Sequence, residues 1–363
     1  MEKFEIIPVD CIDADMHNHT KGSDGTQRSI RLLLRAAGKG KNIVAMTDHN
    51  SVKGFENLER DLYTVVETIK ADKSYDPQKM IDILEQIKLI IGTELITKYN
   101  KVEIEVLGYN FDVEEMKKQM QILKTKIKKP AHVVCYEEFS KMLERGDLVF
   151  DRQKLDDAFE RIAIEGKGGV VNPFYQELIS HEENRELLKY EENGEEKIAD
   201  TEKKFIRKHM HNKKSYFYVN MAESRPELQD TIEAIHNSGG KAILAHPGRY
   251  TDEFNVLECL DDIISYGLDG IEVFYPDHDY EFREKLLEKV REHKLIASGG
   301  SDDHHKLEEG IQYQMGRVAV PDIPETQWIK EDSENYLDKN NILNKYLEEL
   351  KSIKQEREKG EER

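Results

Sequence analysis

The sequence predicts an α/β protein, and two observations carry that prediction. Short apolar runs rich in β-branched residues recur along the chain: NIVAMTDHN (42–50), LIIGTEL (89–95), KAILAHPG (241–248), LDGIEVF (268–274) and KLIASGGSD (294–302). Each ends in a polar or glycine-containing turn and gives way to a helical pattern, as parallel strands joined by crossover helices do. The clearest of those helices is DYEFREKLLEKVREHK (279–294), with apolar residues at helical spacing and charges on the opposite face.

At 363 residues the chain is long enough for one barrel-sized domain with an insertion, or for two ordinary domains. The α/β pattern occupies residues 1–111 and 229–322. The stretch 112–228 has fewer strand-like runs and more Lys and Glu, and is expected to be a largely helical insertion. From 323 to 363 a charged helical tail follows, expected to be solvated and to fray at its end.

Composition narrows the function classes. With 38% hydrophobic and 35% charged residues the chain has a well-covered core and a heavily charged surface. No apolar run approaches the span of a bilayer, and the N-terminus is acidic where a signal peptide needs a basic region, so a cytoplasmic location and no membrane partner are expected. Cys11, Cys135 and Cys259 lie far apart without a CxxC pair, which points away from a disulfide framework or a thiolate zinc cage. A formal charge of -19 repels long nucleic acid. A small anion remains acceptable if a strong local positive centre, such as bound metal, receives it.

The chemistry-bearing residues stand at the ends of the apolar runs. In DADMHNHTKGSDG, His17 and His19 are two apart, so on a strand both imidazoles face one side, and Asp24 follows in a turn. His49 in TDHN, Glu94 in GTEL, His246 in AHPGRY, and Asp302 with His304 in GSDDH occupy the corresponding positions later. Ligands of parallel α/β folds gather at the carboxyl ends of strands, so these groups are expected on one rim. Imidazole mixed with carboxylate and no thiolate suits Zn, Mn or Fe, and the ligand number exceeds the need of one ion. Paired ions with a bridging carboxylate are a common device for hydrolysing phosphate esters.

The ordered motifs HNHTKGSDG, TDHN, GTE, AHPGRY and GSDDH resemble the polymerase and histidinol phosphatase (PHP) family, over roughly 13–114 and 231–321. The segments GGKAILAHPGRY and GLDGIEVFYPDH are similar to its nucleotide phosphoesterase branch. The resemblance implies a distorted seven-stranded β/α barrel binding two or three divalent metal ions. It implies that His17, His19, Glu94 and Asp302 hold one ion, Glu94 with His246 a second, and Asp24, His49 and His304 a third. One position departs: where the family usually has a histidine, three residues before a glycine, this chain has Glu105 in EVLG. Ligation by Glu105, which would favour a harder ion such as Mn, and a solvent-facing strand edge both stay open.

Further expectations concern substrate. Arg249 after His246 can grip a phosphate with two donors, in a binding or catalytic role. His278 in YPDHDYE is expected to touch phosphate or act as an acid, with packing on its own loop as the alternative. His132, near a helix start at Pro130, and Lys214, before SYFYVN, are further substrate-binding candidates. His209 and His211 read as a solvated helix end, and His181, His236, His293 and His305 receive no functional role. The expected activity is hydrolysis of a small phosphorylated substrate such as a mononucleotide or a short oligonucleotide end. A phosphatase acting on a metabolite or phosphotyrosine, and a catalytically weak metal-binding regulatory module, are the competing readings.

Overall fold

The computed structural model describes residues 10–192, 194–250, 254–306, 310–339 and 342–361. Residues 1–9, on which the reading of the N-terminus rests, and residues 340–341 and 362–363 of the charged tail lie outside these. Strands β1 (Cys11–Ile12), β2 (Ala14–Asp15), β3 (Ile43–Met46), β4 (Lys88–Tyr99) and β5 (Val102–Tyr109) come first in the chain. Then follow β6 (Lys189–Glu192), β7 (Glu195–Ile198), β8 (Lys241–Leu244), β9 (Gly270–Phe274), β10 (Ile296–Gly299) and β11 (Val320–Pro321).

Seven of these form one mixed sheet in the order β10-β9-β8-β5-β4-β3-β2. The pairs β2–β3, β3–β4, β8–β9 and β9–β10 are parallel. Strand β5 lies antiparallel to β8. The two edges of the sheet meet: Met16 N donates to Gly299 O at 3.1 Å, and Asn18 bridges Asp303 in parallel register. The architecture is the expected distorted seven-stranded α/β barrel, with one departure from an all-parallel reading. Strand β5 follows β4 after a two-residue turn in which Asn100 takes φ 57°, and so short a connection forces the chain to reverse.

The strands read as apolar runs because both faces are covered; β3 and β9 are buried at every residue. The helix Tyr280–Glu292 sits where the periodicity placed it, capped by the Asp279 carboxylate accepting from Phe282 N at 2.8 Å, with Leu286, Leu287 and Val290 buried. The expectation of a solvated C-terminal tail is corrected. Helix Ile342–Glu361 buries Leu343, Tyr346, Leu347, Leu350 and Ile353 in a cluster with Leu58, Leu62, Val66, Ile81 and Leu84. Its apolar residues recur at three and four positions, and that stripe is covered while the charges stay outside.

The described chain divides into two compact units. One takes the residues up to Tyr99, Ile104–Leu123 and those from Glu227 onward, and so contains the barrel. The other comprises Asn100–Glu103 and Lys124–Pro226. Its core is aromatic: Phe139 and Phe174 stack at 3.8 Å between ring centroids, with Phe205 and Phe217 buried beside Phe174. Helices Ala131–Glu144, Arg152–Glu165 and Val171–Ser180 dominate this unit, and β6 and β7 add an antiparallel hairpin that helical periodicity did not announce. Within it His209 is buried, with Nδ1 2.9 Å from Ser215 Oγ and Nε2 3.0 Å from Leu188 O. It is a satisfied core histidine and not the solvated helix end the flanking lysines suggested. No described helix is long and apolar enough to cross a membrane.

Candidate metal centre

The carboxyl ends of the parallel strands converge on one cluster of side chains. His17 and His19 follow β2; Asn18 between them points the other way, its amide donating to Asp15 O at 3.0 Å and Ala45 O at 3.2 Å. That alternation turns both imidazoles inward, and both are fully buried. His49 follows β3, Glu94 lies on β4, His246 follows β8, and Asp302 and His304 follow β10. Glu105 joins them from the first half of β5, and it reaches the same rim because that strand runs backwards.

Three groups of ligand atoms form, each lying within 4.8 Å of one another. In the first, His17 Nε2 is 3.2 Å and His19 Nε2 3.3 Å from Glu94 Oε2, and the same nitrogens are 3.5 and 3.1 Å from Asp302 Oδ1. In the second, His49 Nδ1 is 3.0 Å from Glu94 Oε2 and 3.7 Å from Glu105 Oε1. His246 Nε2 adjoins this group, 2.9 Å from Glu94 Oε1 and 3.3 Å from Glu105 Oε2. In the third, His304 Nε2 is 3.1 Å from Asp24 Oδ1, with His19 Nδ1 and His49 Nε2 each 3.9 Å from the same oxygen.

Whether these groups suit metal is answered by their unmet bonding. His17 Nε2, both ring nitrogens of His19, His49 Nδ1, Glu94 Oε2 and Asp302 Oδ1 are buried without a hydrogen-bond partner among the described residues. Buried polar atoms normally find partners, so a knot of lone-pair nitrogens and oxygens aimed at one another fits divalent cations. The electrostatics agree. Burial opposes charge on His17, yet Glu94, Glu272 and Asp302 together hold its imidazole well above the ordinary value. Burial likewise opposes charge on His19, and Asp302 and Glu94 lift it to about 10. Against its own burial, Glu94 is pushed well below the usual carboxylate range by His17 and His49. A site that holds protons this firmly offers the same field to a metal ion, which must displace them.

No family model matches the chain. A 5'-3' exoribonuclease of Haemophilus influenzae is 25% identical over 292 residues, covering 80% of this chain and 89% of the relative. A 3',5'-nucleoside bisphosphate phosphatase of Chromobacterium violaceum is 26% identical over 300 residues, covering 82% and 88%. The fold is similar to a solved structure from Bifidobacterium adolescentis described as a metal-dependent phosphoesterase, with TM-score 0.51 and 22% identity over 89% of this chain and 95% of that one. Over four fifths of its length the chain is thus similar in sequence to enzymes that cleave phosphate esters, and its fold is that of a metal-dependent phosphoesterase's barrel.

Several groups that sequence reasoning missed hold the candidate ligands in place. Glu272 on β9 is fully buried, accepts from His17 Nδ1 at 3.0 Å and from His246 N at 2.8 Å, and so leaves His17 Nε2 facing the cluster. A carboxylate inside the otherwise apolar run GIEVF was the available signal. Tyr275 Oη donates to Asp302 Oδ2 at 3.0 Å, and Tyr250 Oη accepts from Glu105 N at 2.8 Å while standing 3.3 Å from His246 Nδ1. His246 and Asp302 sit at φ 24° and 57°, conformations that cost an L residue about 1–3 kcal/mol each. The hydrogen bonds of Glu272 and Tyr275 help hold them there.

The substrate candidates divide. Arg249 is half exposed and donates through Nη1 to Asp302 Oδ2 at 3.1 Å, which places it on the rim. His278 is buried and both ring nitrogens are used: Nδ1 donates to Val273 O at 2.9 Å, and Nε2 accepts from Gly248 N at 3.0 Å. The expectation of His278 as a phosphate contact or acid is corrected, since no ring nitrogen is left for it; the residue positions the His246–Arg249 turn. Gly248 is required there, because a Cβ would lie 2.5 Å from the His278 ring. His132 lies on helix Ala131–Glu144 with its ring 6.0 Å from that of Phe159, and Lys214 is exposed in the turn before Tyr216; both belong to the second unit.

Proposed function

We propose that this chain hydrolyses a phosphate ester of a nucleotide or of a short oligonucleotide end, as a cytoplasmic enzyme using two or three divalent ions, Mn, Zn or Fe. The observation that carries the reading is the set of buried, unpartnered ligand atoms on the barrel rim. The relatives' activities on nucleotide-type esters support the substrate class. Bound ions would supply an acidified water and neutralise charge gathering on the phosphate oxygens.

The chain's own residues do the rest. Glu272 fixes the tautomer of His17, and Tyr275 with Arg249 occupies Asp302 Oδ2 so that Oδ1 is kept for the cluster. Arg249 spends one nitrogen on that contact, and the remainder of its planar fork suits two-point binding of a phosphate. The overall charge of -19 makes a short substrate a better fit than a long polyanion.

The test is to measure bound metal, then phosphate or nucleotide release from mononucleotides, a 5'-phosphorylated oligonucleotide and sugar phosphates, with His17→Ala as control. Metal-dependent turnover that is lost in His17→Ala is expected. If neither metal content nor hydrolysis depends on His17, the reading fails.

A further inference from the structure

Outside the candidate metal centre, the barrel unit carries a polar cavity. It measures about 450 Å³ and is lined by Lys21 and Arg28, by Ser29 at the start of helix Ser29–Gly38, and by Asn57, Arg60 and Asp61 of helix Lys53–Ala71. Lys21 N donates to Gln27 O at 2.8 Å, closing a loop whose two ends, Lys21 and Arg28, are thereby brought together. That loop also carries Asp24 of the metal centre. Three cations facing one cavity is a strong local reversal in a chain of net charge -19.

Three details point to what the cavity receives. Arg28 gives helix Ser29–Gly38 no side-chain cap, and both Arg28 and Ser29 line the cavity, so a helix start, which favours a phosphate, borders it. The hydroxyl of Ser29 is already spent on Gly54 O at 2.6 Å, which leaves the backbone and the cations as the anion's donors. Opposite in character, Asp61 is 8% exposed and its Oδ2 has no hydrogen-bond partner among the described residues. A buried carboxylate oxygen without a partner is costly, and an incoming hydroxyl or amino donor relieves it. An inorganic anion satisfies the cations and leaves Asp61 unmet; a phosphate attached to a hydroxylated sugar satisfies both.

We propose that this cavity is a binding site for a sugar phosphate, with Lys21, Arg28 and Arg60 on the phosphate and Asp61 on a sugar hydroxyl. The ligand is either the downstream residue of a substrate whose scissile ester lies at the metal centre, a case that rests on the function proposed above, or a free sugar phosphate that binds independently of catalysis.

The experiment titrates the metal-loaded full chain with the hydrolysis-resistant phosphonate of ribose 5-phosphate and, separately, with methylphosphonate. Arg60→Ala and Arg28→Ala are expected to weaken one binding event by about tenfold or more and to spare the other. Asp61→Asn is expected to weaken the sugar phosphonate while leaving methylphosphonate unaffected. Identical titrations of wild type and Arg60→Ala, or an Asp61→Asn chain that holds the sugar phosphonate as tightly as wild type, overturn the proposal. The source is read from kcat/KM: an Arg60→Ala loss on a 5'-phosphorylated dinucleotide but not on a mononucleotide assigns the substrate's own downstream residue. Unchanged rates on both, with the binding loss retained, assign a free sugar phosphate. Because the titration needs no turnover, a chain that hydrolyses none of these esters still reports on the cavity.

Discussion

Glu105 stands 3.3 Å from His246 Nε2 and 3.7 Å from His49 Nδ1, in the place where the family resemblance leads one to expect an imidazole. Glu105→Ala should therefore deplete metal from the group shared with His49 and Glu94 and leave the His17 group loaded; unchanged metal content by elemental analysis would exclude ligation. Glu272 acts one step further out. Glu272→Gln keeps the volume but removes the carboxylate that holds His17 Nδ1 and His246 N, so metal affinity should fall by about 10–100-fold in a titration. An unchanged affinity would mean that packing alone orients His17. His278 yields a pH prediction. Burial keeps its imidazole at about 4, whereas an unfolded histidine titrates near 6.5. Between those values the unfolded chain binds more protons, so the stability associated with neutral His278 is complete above about 6.5 and is lost as pH falls towards 4. Denaturant titrations at pH 7.5 and 5 should show wild type losing more stability than His278→Gln; equal losses would count against a neutral, buried ring.

At the scale of elements, strands were legible where both faces are buried, since runs such as IVAM and GIEVF can be neither exposed nor amphipathic. The reversed strand β5 was not, because VEIEV alternates charged and apolar residues like an edge strand. Its charged side is divided between Glu105, which faces the metal centre, and Glu103, whose carboxylate accepts from Arg225 Nε at 2.6 Å. The C-terminal helix was misjudged for a related reason. Its charged composition led to the expectation of a solvated tail, yet the narrow apolar stripe from Leu343 to Ile353 suffices when a complementary helix pair awaits it. Leu350→Ala should cost about 2–5 kcal/mol in a denaturant titration, as expected for a fully buried leucine. A cost near zero would restore the solvated tail.

For the whole molecule, metal should be part of the folding energetics, because the converging ligands exist only in the folded chain. Ions bound to the native state alone add about 2.7 kcal/mol at a concentration 100 times their dissociation constant. Chelation should therefore lower the melting temperature of wild type, and lower that of His17→Ala by less, since only one of the three groups contains His17; equal shifts would place the effect elsewhere. The division between sequence and tertiary structure follows from the same physics. The residue types of the candidate ligands, their order along the chain and the α/β class were determined by sequence alone, since apolar runs and their polar ends are local patterns. Tertiary structure decided which of the candidate atoms come together, that Glu105 stands among them, that Glu272 and His278 brace the residues around them, and that Lys21, Arg28, Arg60 and Asp61 line one cavity. Those relations depend on where the sheet closes and which strand reverses, and residues such as His17 and Glu272, 255 positions apart, meet only then.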